Sequence, residues 1–369
     1  MDLKIMFIVQ GEGRGHMTQA ISLKQLLNRN GCTVCSVLVG SSSAREVPDF
    51  FLKSMEGVSV SRFLSPNFVT RNSRAIRIMP TVIYNLQRLR TYRKSIREIE
   101  NAVNEHKPDL IINFYDPLAG LFCFLKRPKT PMIAVAHQYL AEHPGFPFPK
   151  GYAGDKFALK AYTNLTAWGS KRKLALSFYE TDDLERKNVL VVPPLLRNEV
   201  FEQAASNGGY FLVYLVNKGY RDDILNWHRE NPQVTLHCFT DNKDITDVMQ
   251  VDETLFFHQL NDRKFLSMMA GARGLISTAG FESICEAMYL GKPAFMVPVE
   301  GHFEQLCNSR DAHLAGAGIY DKSFNIGRFL DYLPQHREIG DKFRNWVHRA
   351  EEKFMASIME VIHESSGEY

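Results

Sequence analysis

Leu275-Ile276-Ser277-Thr278-Ala279-Gly280-Phe281-Glu282-Ser283-Ile284-Cys285-Glu286-Ala287-Met288-Tyr289-Leu290-Gly291-Lys292-Pro293 carries the densest signal in the chain. A short apolar run, Gly274 to Ser277, ends in the small-residue turn Ala279-Gly280. A helical pattern from Glu282 to Leu290 opens directly after it, and Pro293 to Val297 reads as the next strand. Strand, turn, helix and strand in succession are the unit of a parallel α/β sheet. A helix N-terminus presents unpaired N–H groups and a partial positive charge, which suit a phosphate. Gly280 lets backbone approach a pyrophosphate closely, and Ser283 adds a hydroxyl in the first turn. Glu286 follows on the same helical face, where its carboxylate can accept hydrogen bonds from ribose hydroxyls. A capping box, with Ser283 as N-cap and Glu286 as its partner, accounts for the same residues without a ligand.

The unit recurs along the chain. Ile5 to Val9 is a strand, Gly11 to Gly15 a turn and Met17 to Asn30 a helix. Thr33 to Val39, Leu110 to Phe114 and Met132 to Ala136 are further strands, and Val189 to Val192 closes the first half. The pattern restarts with a strand at Tyr210 to Val216, a helix at Arg221 to Glu230, and strands at Val234 to Phe239 and Thr254 to Phe257. At 369 residues the chain is long for one core. The expected fold is α/β, two doubly wound Rossmann-like domains facing a central cleft. Residues 1–196 form the first domain and 197–340 the second, and 341–369 form a terminal helical segment packing back towards the first. In open α/β sheets ligands sit beyond the carboxyl ends of the strands, so the loops that follow strands are the informative ones.

One such loop is Pro298-Val299-Glu300-Gly301-His302-Phe303-Glu304-Gln305-Leu306-Cys307-Asn308, where Glu304 and Gln305 can bond sugar hydroxyls. The order Gly280, Ser283, Glu286, Gly291-Lys292-Pro293, Pro298, Glu304-Gln305, Asn308 resembles the donor-site signature of GT-B-fold glycosyltransferases. It is most similar to the inverting MurG-type and UDP-glycosyltransferase-type families. The resemblance implies transfer of a hexosyl or N-acetylhexosaminyl group from a nucleotide-diphosphate donor, UDP-sugar first, to an acceptor hydroxyl. It implies that Gly280, Phe281 and Ser283 meet the diphosphate, that Glu286 holds the ribose, and that Glu304, Gln305 and Asn308 serve the sugar side. Two departures stand out: Ala279-Gly280 replaces a frequent pair of glycines, and the acid–glutamine pair is Glu304-Gln305. Retaining relatives resemble one another in a Glu-x7-Glu pair; Thr278 stands where the first acid belongs, which favours inversion. A sugar-nucleotide epimerase or hydrolase, or a non-catalytic nucleotide-sugar binder, is the alternative on the same fold.

The first loop, Gly11-Glu12-Gly13-Arg14-Gly15-His16, follows the first strand and opens a helix. No acid ends the second strand, which argues against a nicotinamide site. Gly13 and Gly15 leave room for an acceptor or phosphate, and a neutral His16 at the helix start can take a proton from an acceptor hydroxyl. A helix-capping role is the plainer reading of His16. The turn also resembles the first loop of MurG-type enzymes. Asp116 and His137 follow first-domain strands and are candidates for the acceptor side; Asp116 is a second candidate base or an orienter of His16. Lys218, after the Tyr210 strand, can reach a phosphate or be an exposed turn lysine. His258, in the loop expected after Phe257, resembles the place where related enzymes hold the nucleobase. No acidic pair stands beside the donor stretch, so neither a metal nor any other cofactor is expected.

The composition is that of a soluble globular protein, 45% apolar and 23% charged, with a net charge of +3. That charge is too mild to indicate nucleic acid. Arg71, Arg74, Arg77, Arg88, Arg90, Arg93, Lys94 and Arg97 nevertheless form a basic stretch over 71–97 without an acid. Pro80 to Ile99 has largely helical spacing there. It reads as a surface helix with a solvated basic face, or as a contact for an anionic membrane carrying a lipid or lipid-linked saccharide acceptor. The six cysteines include one CxxC, Cys32 and Cys35, on opposite faces of a strand and without a second pair to complete a zinc site. Reduced thiols and no apolar run of membrane-spanning length suggest the cytoplasm, with peripheral attachment at the inner face of the membrane as the further expectation.

Overall fold

The structure, a computed structural model, describes residues 3–43, 45–66, 70–71, 75–76, 85, 87–215, 218–241 and 245–366. The first half holds β1 (Lys4–Gln10), β2 (Thr33–Ser41), β3 (Ser59–Leu64), a small ladder of β4 (Thr70–Arg71) and β5 (Ala75–Ile76), then β6 (Leu110–Phe114), β7 (Met132–Ala136), β8 (Arg172–Leu176) and β9 (Val189–Val192). Seven of these make one sheet in the order β3-β2-β1-β6-β7-β8-β9, parallel at every pairing. β6 and β7 are buried at every residue, which explains why they read as unbroken apolar runs rather than alternating ones.

The second half repeats the plan with β10 (Tyr210–Leu215), β11 (Thr235–Thr240), β12 (Val248–Gln250), β13 (Leu255–Gln259), β14 (Leu275–Ser277), β15 (Ala294–Met296) and β16 (Gly318–Tyr320). Their order is β12-β13-β11-β10-β14-β15-β16, parallel except for β12 against β13. In each sheet the order reverses beside the first strand, between β1 and β6 and between β10 and β14. These two switch points are where such sheets open a crevice. The loops there carry Gly13, Gly15 and His16 on one side and Ala279, Gly280 and Phe281 on the other.

One apolar cluster runs through both halves. It joins Phe7, Ile112 and Leu176 under the first sheet to Leu212, Ala279 and Ile284 in the second, by way of Leu195, Leu196 and Val200. The terminal stretch expected as one helix is two, Gly340–His348 and Ala350–Ser366. The break follows an anchor: Trp346 donates its indole N–H to the Ser177 carbonyl at 2.9 Å, and the Arg349 N–H turns back to the Trp346 carbonyl at 3.1 Å. The last helix lies against the first sheet. Lys353 Nζ donates to the Val191 carbonyl at 3.3 Å, and Arg172 pairs with Glu360 and Glu364 at 3.2 and 2.7 Å.

Two sequence expectations change. The helix in the basic region spans Leu89–His106 and buries Tyr92, Ile96, Ile99 and Val103, while Arg90, Arg93, Lys94 and Arg97 are exposed. Arg74, Arg77 and the stretch 80–84 lie outside the described residues, as does the Arg71 side chain. β13 extends through His258 and Gln259, because β11 and β12 pair with it from both sides, so no loop begins at Phe257. All six cysteines are free, and among the described residues no helix is long and apolar enough to cross a membrane.

Phe354 is completely buried in the shared core. Phe354→Ala should destabilise the chain by about 3–5 kcal/mol, measured by equilibrium denaturation. A loss under about 1 kcal/mol would mean that the last helix contributes little to the core.

Candidate functional site

The turn after β14 is built for close approach. Gly280 caps the Phe281–Tyr289 helix in an extended conformation (φ −76°, ψ 135°), and no side chain caps the first amides. Ala279 sits at φ +20°, on the margin of the region that glycine occupies most easily. Ser283 is therefore inside the helix rather than its cap, and its hydroxyl turns to the Gly280 carbonyl at 3.4 Å. The capping-box reading falls: Gly280 offers no side-chain cap, and the Glu282 N–H turns to its own carboxylate. Asn308 ties the next helix, Phe303–Leu314, to this turn through Nδ2 to the Ala279 carbonyl at 3.4 Å.

The polar side chains named from the sequence are held by protein groups. Glu286 is buried and accepts on one oxygen from Arg197 Nε at 2.8 Å and Nη2 at 2.6 Å. Burial raises its pKa and the Arg197 charge opposes the rise. Glu304 accepts from Gln138 Nε2 at 2.8 Å, so the two domains touch there. Gln305 turns its Oε1 back to the Val299 N–H at 2.8 Å.

The N-terminal loop faces this turn. Gly13 caps the Arg14–Arg29 helix, also with no side-chain cap. His16 lies in its first turn, half-buried, with Nδ1 3.2 Å from Gln19 Oε1. Its ring stacks on Tyr115 at 5.3 Å, and Tyr115 itself is held at φ +66° at the end of β6. A bulky residue there costs on the order of 1–3 kcal/mol, a strain found most often at working sites. Burial lowers the His16 pKa, with Glu304 and Gln19 opposing. The imidazole is thereby kept neutral near pH 7.

Glu282, which the sequence reading passed over, crosses the cleft. Its Oε1 accepts from Gln19 Nε2. A Cβ on Gly15 would stand 2.5 Å from its Oε2, so glycine at 15 is what lets the carboxylate come this close. Burial pushes its pKa up to about 7. Arg14 also crosses, to Asp262 at 2.6 Å.

Three candidates are corrected by their surroundings. Asp116 is fully buried and caps the Pro117–Lys126 helix, accepting from the Leu118 N–H at 2.8 Å and from Ser65 Oγ at 2.7 Å. It makes no hydrogen bond to His16, whose Nδ1 lies against Gln19 Oε1. Burial raises its pKa to about 6. His137 is buried between the domains, with Nδ1 on the Leu176 carbonyl at 2.7 Å, Nε2 3.6 Å from Asp311, and its ring stacked on Phe281 at 4.1 Å. His258 is buried inside β13 against Phe239, with Nε2 2.9 Å from His237 Nδ1, which removes it from any loop over a nucleobase. Lys218 opens the short Lys218–Tyr220 turn of helix, and its side chain lies outside the described residues.

Gln19, Arg197, Asp311 and Tyr115 were missed along with Glu282. Gln19 had a usable signal, since it stands one turn from His16 on the same helical face. Glu282 lies inside the quoted stretch between Gly280 and Ser283. Arg197 and Asp311 carry no local pattern; only the packing of linker and helix against Glu286 and His137 reveals them.

A sequence model described as Glycosyl transferase family 1 matches residues 3–334. No curated protein matches the chain in sequence. Solved structures do match in fold. The glycotransferase of kitacinnamycin is 14% identical with TM-score 0.64, and the match covers 99% of each chain. LpCGTa in complex with UDP is 13% identical with TM-score 0.64, covering 98% of this chain and 99% of that one. Arabidopsis thaliana UGT89C1 complexed with quercetin is 12% identical with TM-score 0.62, covering 97% and 99%.

Two measurements check the electrostatics. If His16 is the essential base, the acid limb of the pH profile of kcat/KM should fall below pH 6.5, the ordinary histidine value; a limb at or above that value contradicts the lowered pKa. For Asp116 the folded pKa lies above the unfolded one, so its cost to stability sets in as pH rises from about 4 to about 6. Asp116→Asn keeps the cap and removes the cost. Its advantage should grow across that window to on the order of 3 kcal/mol, with turnover kept, as read from denaturation curves at several pH values.

Proposed function

The chain belongs to glycosyl transferase family 1, a glycosyltransferase family, and from that premise we propose a UDP-sugar-dependent, inverting transfer to the hydroxyl of a small-molecule acceptor. Residues 197–340 bind the donor, residues 1–196 present the acceptor, and 341–369 brace the first domain. The observation that carries this reading is the convergence of two motifs far apart in sequence. The uncapped N-terminus at Gly280 and the neutral His16 share one cleft, joined through Gln19 and Glu282.

The acceptor oxygen attacks the anomeric carbon as the bond to the β-phosphate oxygen breaks. His16 takes the acceptor proton, and the nucleoside diphosphate leaves with its electron pair. The amides of Phe281 and Ser283 at the helix start stabilise the charge that develops on it. Glu286 accepts from the ribose through Oε2, which makes no hydrogen bond to a described residue while Oε1 holds Arg197. Glu304 and Gln305 exchange Gln138 and the Val299 amide for hydroxyls of a hexosyl or N-acetylhexosaminyl group. The acceptor lies over the rings beside His16, with Tyr115 against Tyr139 and Tyr162 at 5.9 and 5.5 Å. An aromatic wall suits a planar or apolar small molecule. The solved relatives support the same class, since one is a complex with UDP and another a complex with quercetin.

Turnover against a panel of UDP-sugars, with and without phenolic and lipid acceptors, tests the proposal. Consumption of donor without acceptor indicates an epimerase or hydrolase, and binding without turnover a non-catalytic binder. Glu286→Ala should weaken donor binding about tenfold or more. His16→Ala should leave donor affinity within about twofold and lower turnover about 100-fold or more. Unchanged donor affinity in Glu286→Ala removes the ribose assignment, and an NMR coupling constant showing retention at the anomeric carbon removes inversion.

A further inference from the structure

His16 has a carboxylate in its own domain, Asp116, yet that group is spent on Ser65 and Leu118. What touches the ring nitrogen is an amide. We propose that Gln19 and Glu282 are positioning residues: a relay across the cleft that holds the proton of His16 on Nδ1 and leaves Nε2 bare. The proposal rests on the reading of His16 as the base only for its consequence in catalysis.

The donor and acceptor roles follow in order from the far end. Above pH 7, where Glu282 is ionised, its carboxylate oxygen can only accept, so the Gln19 atom bonded to Glu282 Oε1 is the amide nitrogen, which donates. Gln19 Oε1 is then the atom turned to His16, 3.2 Å from Nδ1, and a carbonyl oxygen can only accept. Nδ1 therefore carries the hydrogen. Nε2, with no hydrogen bond to any described residue, keeps its lone pair. An amide alone fits a histidine in either orientation; Glu282 chooses one of them.

The carboxylate is placed for this by both domains. Glu282 is in the first turn of its own helix, and Gly15 admits it to the first turn of the Arg14–Arg29 helix with Oε2 2.5 Å from where a Cβ would stand. Two helix N-termini then share one acid, which each favours. Charged and titratable groups facing the relay are Glu304, which acts on His16 and Glu282, Glu286 on the helix of Glu282, and Tyr115 against the imidazole. Because Glu282 comes from the donor domain, the tautomer of the base depends on the two domains having met.

The test reads the tautomer directly, in the ligand-free protein, from histidine ring 15N shifts above pH 7, where His16 is neutral and Glu282 ionised. Wild type should show Nδ1 protonated and Nε2 bare. Gln19→Met and Glu282→Ala should each move His16 towards the Nε2-protonated form. Glu282→Gln, whose amide can accept from Gln19 or donate to it, should leave a mixture of the two tautomers. Turnover should fall about tenfold or more in the first two and less in Glu282→Gln, with donor affinity within about twofold in Gln19→Met. A wild-type His16 protonated on Nε2, or an unchanged 15N pattern in both Gln19→Met and Glu282→Ala, overturns the relay. If the tautomer moves as expected and turnover does not, the relay holds and His16 is not the base, so the two readings fail separately.

Discussion

The structure depends on one meeting point, the carboxylate of Glu282 lodged between the first turns of two helices from different domains. Its partners are Gln19 from the side chain and Gly15 from the backbone. Neither domain builds this contact alone. Each contributes a strand that ends at a switch point, a small-residue turn and a helix whose opening amides lack a side-chain cap. A group with negative charge is what both turns are electrostatically prepared for.

The closed arrangement around that point explains the state of the other polar residues. Glu286 holds Arg197, Glu304 holds Gln138, and Arg14 holds Asp262. Buried charges without such partners would be costly. In the proposed donor site a nucleotide-sugar would exchange the Gln138 and Val299 bonds of Glu304 and Gln305. His137, stacked on Phe281 and facing Asp311, belongs to the same interdomain seam.

Much of the fold was legible because strands buried on both faces, and helices with one apolar face, leave periodic signals. The helix Arg221–Glu230 was readable to the residue. Errors fall where pairing decides. His258 was assigned to a loop because four residues of apolar run had already passed; the antiparallel β12, with only a faint pattern of its own, extends the strand through it. The terminal helix was read as one because a break set by the Trp346 indole bond to Ser177 leaves no glycine or proline behind. Around the turn, Gly280, Ser283, Glu286 and Glu304 were named from spacing as candidates. Arg197 and Asp311 were not, since each is defined only by a partner far along the chain.

From the sequence alone came the two doubly wound halves, the turn at Gly280 and the set of side chains able to meet a sugar nucleotide, because these depend on local periodicity and on the chemistry of residue types. Only the tertiary structure decided which of those side chains face one another. It turned Asp116 into a helix cap, buried His137 and His258, and set Gln19 and Glu282 beside His16. The physical reason is that a hydrogen bond between residues 263 apart in the chain has no local signature; it exists only once two separately readable domains have packed.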